Sequence, residues 1–243
     1  MRLRSILRFC SLVTAAIASL SFAYAEIPGI ESFSVLQKRT ATIMKAPPEE
    51  AHMERCGLSL RVPVLIDFFD RAIWPGCVGD AKTEGATLSM GYAFYPDDPA
   101  WASKYISMEI QPIGIDEWVT PDHGHHTTFA KSGDSVELLP RYSFGNECKN
   151  LRKTEITPIY GTNWHGWVAE EIYGKSKMQA KEKKRCANYT VKNRCVHLVL
   201  GNDRMSAEMP WACLLRKKTT NLKEGLSYDL FMEMIRSIQF NEQ

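Results

Sequence analysis

Leu226-Ser227-Tyr228-Asp229-Leu230-Phe231-Met232-Glu233-Met234-Ile235-Arg236-Ser237-Ile238-Gln239-Phe240 is the stretch that decides the fold class. Leu226, Leu230, Phe231, Met234 and Ile235 recur at the spacing of one helical face. A helix with a single apolar face must bury it, and a sheet is the surface the rest of the chain supplies. Arg236 to Phe240 then alternates like a final edge strand. Just upstream, Gly201-Asn202-Asp203-Arg204 is a turn signal between Tyr189–Leu200 and Met205–Leu215, both strand-like. The chain is therefore expected to end hairpin, helix, strand.

Working backwards, Trp164–Tyr173, Thr154–Tyr160, Val136–Phe144, Tyr105–Pro112, Thr87–Tyr95 and Leu58–Val64 read as further strands. Pro96-Asp97-Asp98-Pro99 reads as a turn, Leu65–Trp74 as a helical turn, and Gly114–Asp134 mostly as loop. The fold is expected to begin at Glu31–Met44 and to be broken at Ala46-Pro47-Pro48-Glu49-Glu50. Together these predict an α+β protein, mainly antiparallel sheet, with helices packed on one face and disulfides stabilising it. No internal repeat is visible, so residues 26–243 form one domain or two packed halves, about 26–150 and 151–243.

The N-terminus carries a different message. Arg2, Arg4 and Arg8 precede an apolar core from Phe9 to Leu20, and Ala23-Tyr24-Ala25 offers the small residues of a cleavage site. Residues 1–25 are read as a signal peptide, with export to the periplasm and no stable membrane anchor. Without them, 27 basic residues face 28 acidic ones. That balance gives no support to nucleic acid as a partner, which a basic surplus would favour.

Export bears on the cysteines. The leader takes Cys10 with it and leaves Cys56, Cys77, Cys148, Cys186, Cys195 and Cys213. An even set in an oxidising compartment implies up to three disulfides. Cys186 with Cys195, Cys56 with Cys77, and Cys148 with Cys213 are the pairings expected. No two cysteines have the C-x-x-C spacing that pre-organises a zinc site.

The motifs that carry chemistry point away from catalysis. There is no Gly-x-Ser-x-Gly elbow, no His-Glu-x-x-His helix and no Gly-rich phosphate loop. Asp67 with Asp70 and Glu170 with Glu171 are the paired carboxylates, but on a strand Glu170 and Glu171 point to opposite faces. No catalytic residue and no cofactor is expected. His123, His125 and His126, beside Asp122, are the one cluster that suits zinc or copper, and they define an alternative reading as a metal-binding protein or metalloenzyme. The basic run from Lys175 to Arg185 reads as an exposed loop. Trp164, Trp167 and Tyr173 cluster around Trp164-His165-Gly166-Trp167-Val168-Ala169-Glu170, and outward-facing members of such a cluster suit a protein-binding surface.

Arg55-Cys56-Gly57-Leu58-Ser59-Leu60-Arg61-Val62-Pro63, Gly166-Trp167-Val168-Ala169-Glu170-Glu171 and Met234-Ile235-Arg236-Ser237-Ile238-Gln239-Phe240 resemble elements of bacterial periplasmic immunity proteins. Those relatives neutralise lipase effectors of the type VI secretion system. The C-terminal end also resembles the PsbP- and Mog1-like α+β group. The resemblance implies a protein that blocks a cognate secreted toxin by binding it. An envelope lipid-handling role is the remaining alternative.

Overall fold

The computed structural model describes residues 44–66, 73–92, 105–120, 127–139, 151–174, 191–222 and 224–241. All of them belong to one compact unit that begins at residue 41. Strands β1 (Met44–Met53), β2 (Leu58–Ile66) and β12 (Gln239–Phe240) form a three-stranded sheet in the order β1-β2-β12. A larger sheet orders β3 (Ile73–Asp80), β4 (Gly85–Tyr92), β5 (Tyr105–Gln111), β11 (Ser206–Leu215), β10 (Asn193–Gly201), β9 (His165–Tyr173) and β8 (Leu151–Tyr160). A hairpin of β6 (Phe129–Ser132) and β7 (Ser135–Leu138) stands apart. Every ladder between these strands is antiparallel. The seven-stranded sheet takes strands from both sides of residue 150.

The expected ending is present. Helix α2 (Tyr228–Arg236) is capped by Ser227, whose Oγ accepts from the Leu230 amide, and Leu226, Leu230, Phe231, Met234 and Ile235 are all buried. Its far end is tied to β2, where the Arg61 amide donates to Ser237 Oγ at 2.7 Å. β12 then pairs with β2 as an edge strand, Gln239 opposite Ser59 and Phe240 opposite Leu58.

Strand alternation separates the two larger core clusters, and a third, small one gathers Tyr173 and the Cys195–Cys213 bond. Val196, Leu198 and Leu200 of β10 join Leu88, Met90, Met108, Ile110 and the α2 residues in the main cluster. Val199 faces the other way and packs with Ala169, Phe129, Val136 and the short helix α1 (Ile115–Trp118). Among the described residues α1 and α2 thus pack with residues from opposite faces of the large sheet, and the expected packing of helices on one face is not seen in them. The reason is that β10 is central and apolar on both sides, so each face needs its own cover.

Two disulfides are present among the described residues. Cys56–Cys77 joins the turn after β1 to β3, with Cα atoms 5.9 Å apart, as the spacing predicts. Cys195 bonds to Cys213, which stands opposite it in the β10–β11 register. This overturns the expected Cys186–Cys195 and Cys148–Cys213 pairs, because strand pairing places Cys213 directly across from Cys195. Cys148 and Cys186 lie outside the described residues. Disulfides of this kind indicate an oxidising compartment. Among the described residues no helix is long and apolar enough to cross a membrane.

Three local readings are corrected. Ala46–Glu50 does not break the chain: β1 runs through it, and Pro47 and Pro48 sit where the register shifts between Ala46 and Glu49. An edge strand tolerates them because its outer amides need no partner. Leu65 and Ile66 extend β2, and Ile73 and Trp74 open β3, so the ends of the expected helical turn are strand. The Gly114–Asp134 stretch contains α1 and β6.

Candidate functional site

At the end of the large sheet where β8 turns into β9 and β10 into β11, five segments line a groove. Three adjoining hollows of about 570, 440 and 460 Å³ make it up. The first and second share Asp116 and His165, and the first and third share Asn163, Asn202 and Asp203.

Each wall has a local cause. In the β10–β11 turn, Asn202 Oδ1 accepts from the amides of Arg204 and Met205, both at 2.9 Å, which closes the turn on its own side chain. The Asn202 carbonyl accepts from the Ile115 amide at 2.9 Å and so anchors the start of α1. Gly114 allows that approach, since a Cβ there would lie 2.5 Å from the Asp203 carbonyl oxygen. In the β8–β9 turn, the Trp164 indole folds over Gly161 and donates through Nε1 to the Ile238 carbonyl at 2.7 Å. Asn163 Nδ2 donates to the Phe240 carbonyl at 2.6 Å, and its Oδ1 accepts from the Phe240 amide at 3.1 Å. Across the groove, Lys131 pairs with Asp116 at 3.1 Å.

The sequence-predicted aromatic set is divided by this geometry. Tyr173 is buried away from the groove, Trp164 is buried but borders the first hollow, and Trp167 is half-buried and lines the second. Trp167 meets His165 edge-on, ring centres 5.5 Å apart, and Tyr160 beside them is 70% exposed. Tyr160, His165, Asp116, Asp203 and Asn163 were not singled out from sequence. The turn signal at Gly201–Arg204 marks one wall, but nothing in the local pattern brings residues 114–119, 131–135, 158–167, 202–205 and 240–241 together. His165 is the groove's histidine, and with two aromatic side chains next to it and the exposed acids Asp116 and Asp203 nearby, the arrangement suits stacking and hydrogen bonding to a protruding segment.

Buried acids lie elsewhere in the sheet. Glu208 is 4% exposed and faces α1 and β6: Oε2 accepts from Trp118 Nε1 at 2.6 Å, and Oε1 from the Thr128 amide at 2.6 Å and the Thr128 hydroxyl. Burial pushes its carboxyl above the usual 4.5, against the pull of hydrogen bonds from Thr128, Trp118 and Thr127. Glu170 and Glu171 diverge as expected for neighbours on a strand. Glu170 accepts from Arg194 Nε at 2.9 Å and Arg216 Nη2 at 2.9 Å, and Arg194 lies 3.5 Å from the Tyr228 ring centre. Burial also raises the Tyr228 phenol, and the Arg194 charge opposes that shift. Glu171 accepts from the Tyr173 hydroxyl, with His197 Nε2 3.9 Å away. His197 Nδ1 bonds to the carbonyl of Pro210, which sits beside the register shift between Val196 and Leu198. The Arg194–Glu170 and His197–Pro210 contacts join neighbouring strands, and Glu208 ties β11 to α1 and Thr128, so these buried groups read as fold-holding.

His123, His125 and His126 lie outside the described residues, as do Asp67, Asp70 and the basic run Lys175–Arg185. Among the described residues no group of three or more His, Cys, Asp or Glu is placed to hold a metal ion. No family model matches the chain, and neither does any curated protein or solved structure.

Proposed function

We propose that this chain is an exported periplasmic protein-binding protein, an immunity protein that neutralises a secreted antibacterial toxin of the lipase-effector type. The observation that carries the reading is the groove at the sheet end, with exposed Tyr160 and half-buried Trp167 and His165 on one wall. The disulfides and the signal-peptide reading of residues 1–25 agree with action outside the cytoplasm. The resemblance of the Cys56, Trp167 and Phe240 segments to immunity proteins supplies the class of partner. The mechanism is occlusion: a loop of the toxin near its active site enters the groove, Tyr160 and Trp167 bury its apolar side chains, and Asp203 and Asp116 set its orientation.

Affinity capture from envelope extracts of the host and its competitors tests this. One secreted lipase or other toxin recovered near equal stoichiometry is the expected result. Tyr160→Ala and Trp167→Ala each weaken capture by about tenfold or more, whereas Val191→Ala, exposed and outside the groove, leaves it unchanged. Toxin capture indifferent to both aromatic substitutions removes the groove from the mechanism. Extracts that contain toxins and yield none remove the immunity reading.

A further inference from the structure

From Lys153 to Tyr160 β8 keeps one register with β9, and its outer edge faces no strand among the described residues. Arg152, Lys153, Thr154, Glu155, Thr157 and Pro158 are all exposed, and among the described residues no strand pairs with that edge. Its hydrogen-bonding phase follows from the turn. The Gly161 amide donates to the Trp164 carbonyl at 3.0 Å, and Tyr160 stands opposite His165. In an antiparallel ladder the bonded pairs alternate, so residues 155, 157 and 159 bond inward to β9. Thr154 and Ile156 therefore point their amides and carbonyls outward. Pro158 falls in the same outward phase, where its missing N–H leaves the β8–β9 ladder intact.

An open edge of this kind is a template for another strand, and natural edges are often blunted with charge. Here the charge has a self-complementary order. Lys153 and Glu155 flank Thr154 on one face and pair with each other within the strand. We propose that two copies of this chain associate edge to edge through β8, antiparallel and centred on Thr154. In that register Thr154 meets Thr154 of the second copy as a hydrogen-bonded pair, exchanging both backbone bonds. Lys153 then stands opposite Glu155 of the second copy, and Glu155 opposite its Lys153, in the closer non-bonded pairs where side chains touch. A one-residue slip puts Lys153 opposite Thr154 of the second copy and brings inward-bonding residues to the seam, so charge and backbone phase select the same alignment. The two seven-stranded sheets become one continuous sheet across a two-fold axis. A seam this narrow makes a weak, concentration-dependent dimer.

Sedimentation velocity of the chain expressed from residue 1 and purified after export, over a roughly hundredfold concentration range, tests the proposal. The expected result is a monomer–dimer equilibrium. Lys153→Glu and Glu155→Lys each place like charges across the seam and weaken the dimer by about tenfold or more, whereas the double exchange restores it to within about threefold of the parent. Thr154→Pro removes an outward amide that no strand ladder among the described residues uses, so it abolishes the dimer while near-UV circular dichroism stays that of the parent. A monomer throughout the range overturns the proposal, as does a dimer indifferent to the single reversals or to Thr154→Pro.

Discussion

The side-chain amide of Asn163 pairs with the backbone of Phe240 as a neighbouring strand would, donating to its carbonyl at 2.6 Å and accepting from its amide at 3.1 Å. A turn of the large sheet thereby holds the last strand of the small one. Asn163→Ala leaves both Phe240 groups without that partner and costs about 1–3 kcal/mol of stability. Urea denaturation measures the loss, and faster hydrogen exchange at the Phe240 amide locates it. Asn163→Asp keeps the acceptor but not the donor, so it falls between the two.

Gly161 is required by Trp164. A Cβ at position 161 would lie 2.1 Å from the indole Nε1 and Cε2, so Gly161→Ala pushes the ring off the turn and strains its bond to the Ile238 carbonyl. The expected cost is about 1–3 kcal/mol. A changed near-UV circular dichroism spectrum accompanies it; a parental spectrum with parental stability contradicts the packing described.

Glu208 gives a pH dependence of definite sign. Burial raises its folded value above 4.5, so at the lowest pH it is protonated in both states and does not affect the balance. As pH rises past 4.5 the unfolded chain ionises first, and this group's contribution to stability falls until the folded carboxyl also ionises. Glu208→Gln flattens that fall and also costs about 1–3 kcal/mol, because one amide oxygen cannot serve the donors on both carboxylate oxygens. Urea midpoints of both proteins, measured from below pH 4.5 upward, check the slope and the cost.

The Cys56–Cys77 bond closes a separation of 21 residues between the small sheet's first turn and the edge strand β3. Replacing both with serine destabilises the fold by about 3 kcal/mol. The shift is read as a lower denaturation midpoint without reductant, where the double variant keeps only Cys195–Cys213 of the two bonds; with a reducing agent the parent and the double variant converge.

Much of the secondary structure was legible because its signals are local. The α2 face and the strand alternation of Met205–Leu215 are periodic, and Asn202 closes its turn with its own side chain. β3 was missed because Pro75, Gly76 and Gly79 are poor strand formers, and only its edge position tolerates them. Cys195–Cys213 was missed because register, not sequence spacing, sets which cysteines face one another. Trp164 and Trp167 look alike in the sequence, although the first is buried with its indole bonded to the Ile238 carbonyl and the second is half-buried beside Tyr160.

By itself the sequence determined the element types over most of the described strands, the antiparallel sheet-rich class, and the divergence of Glu170 and Glu171, since each follows from periodicity within one segment. The tertiary structure alone decided that α1 and α2 pack on opposite faces, that Glu208 is buried under Trp118 and Thr128, and that five separate segments line one groove. The physical reason is that strand order and register are properties of the whole sheet: a residue's neighbour across a ladder lies tens of positions away and leaves no mark in the local pattern.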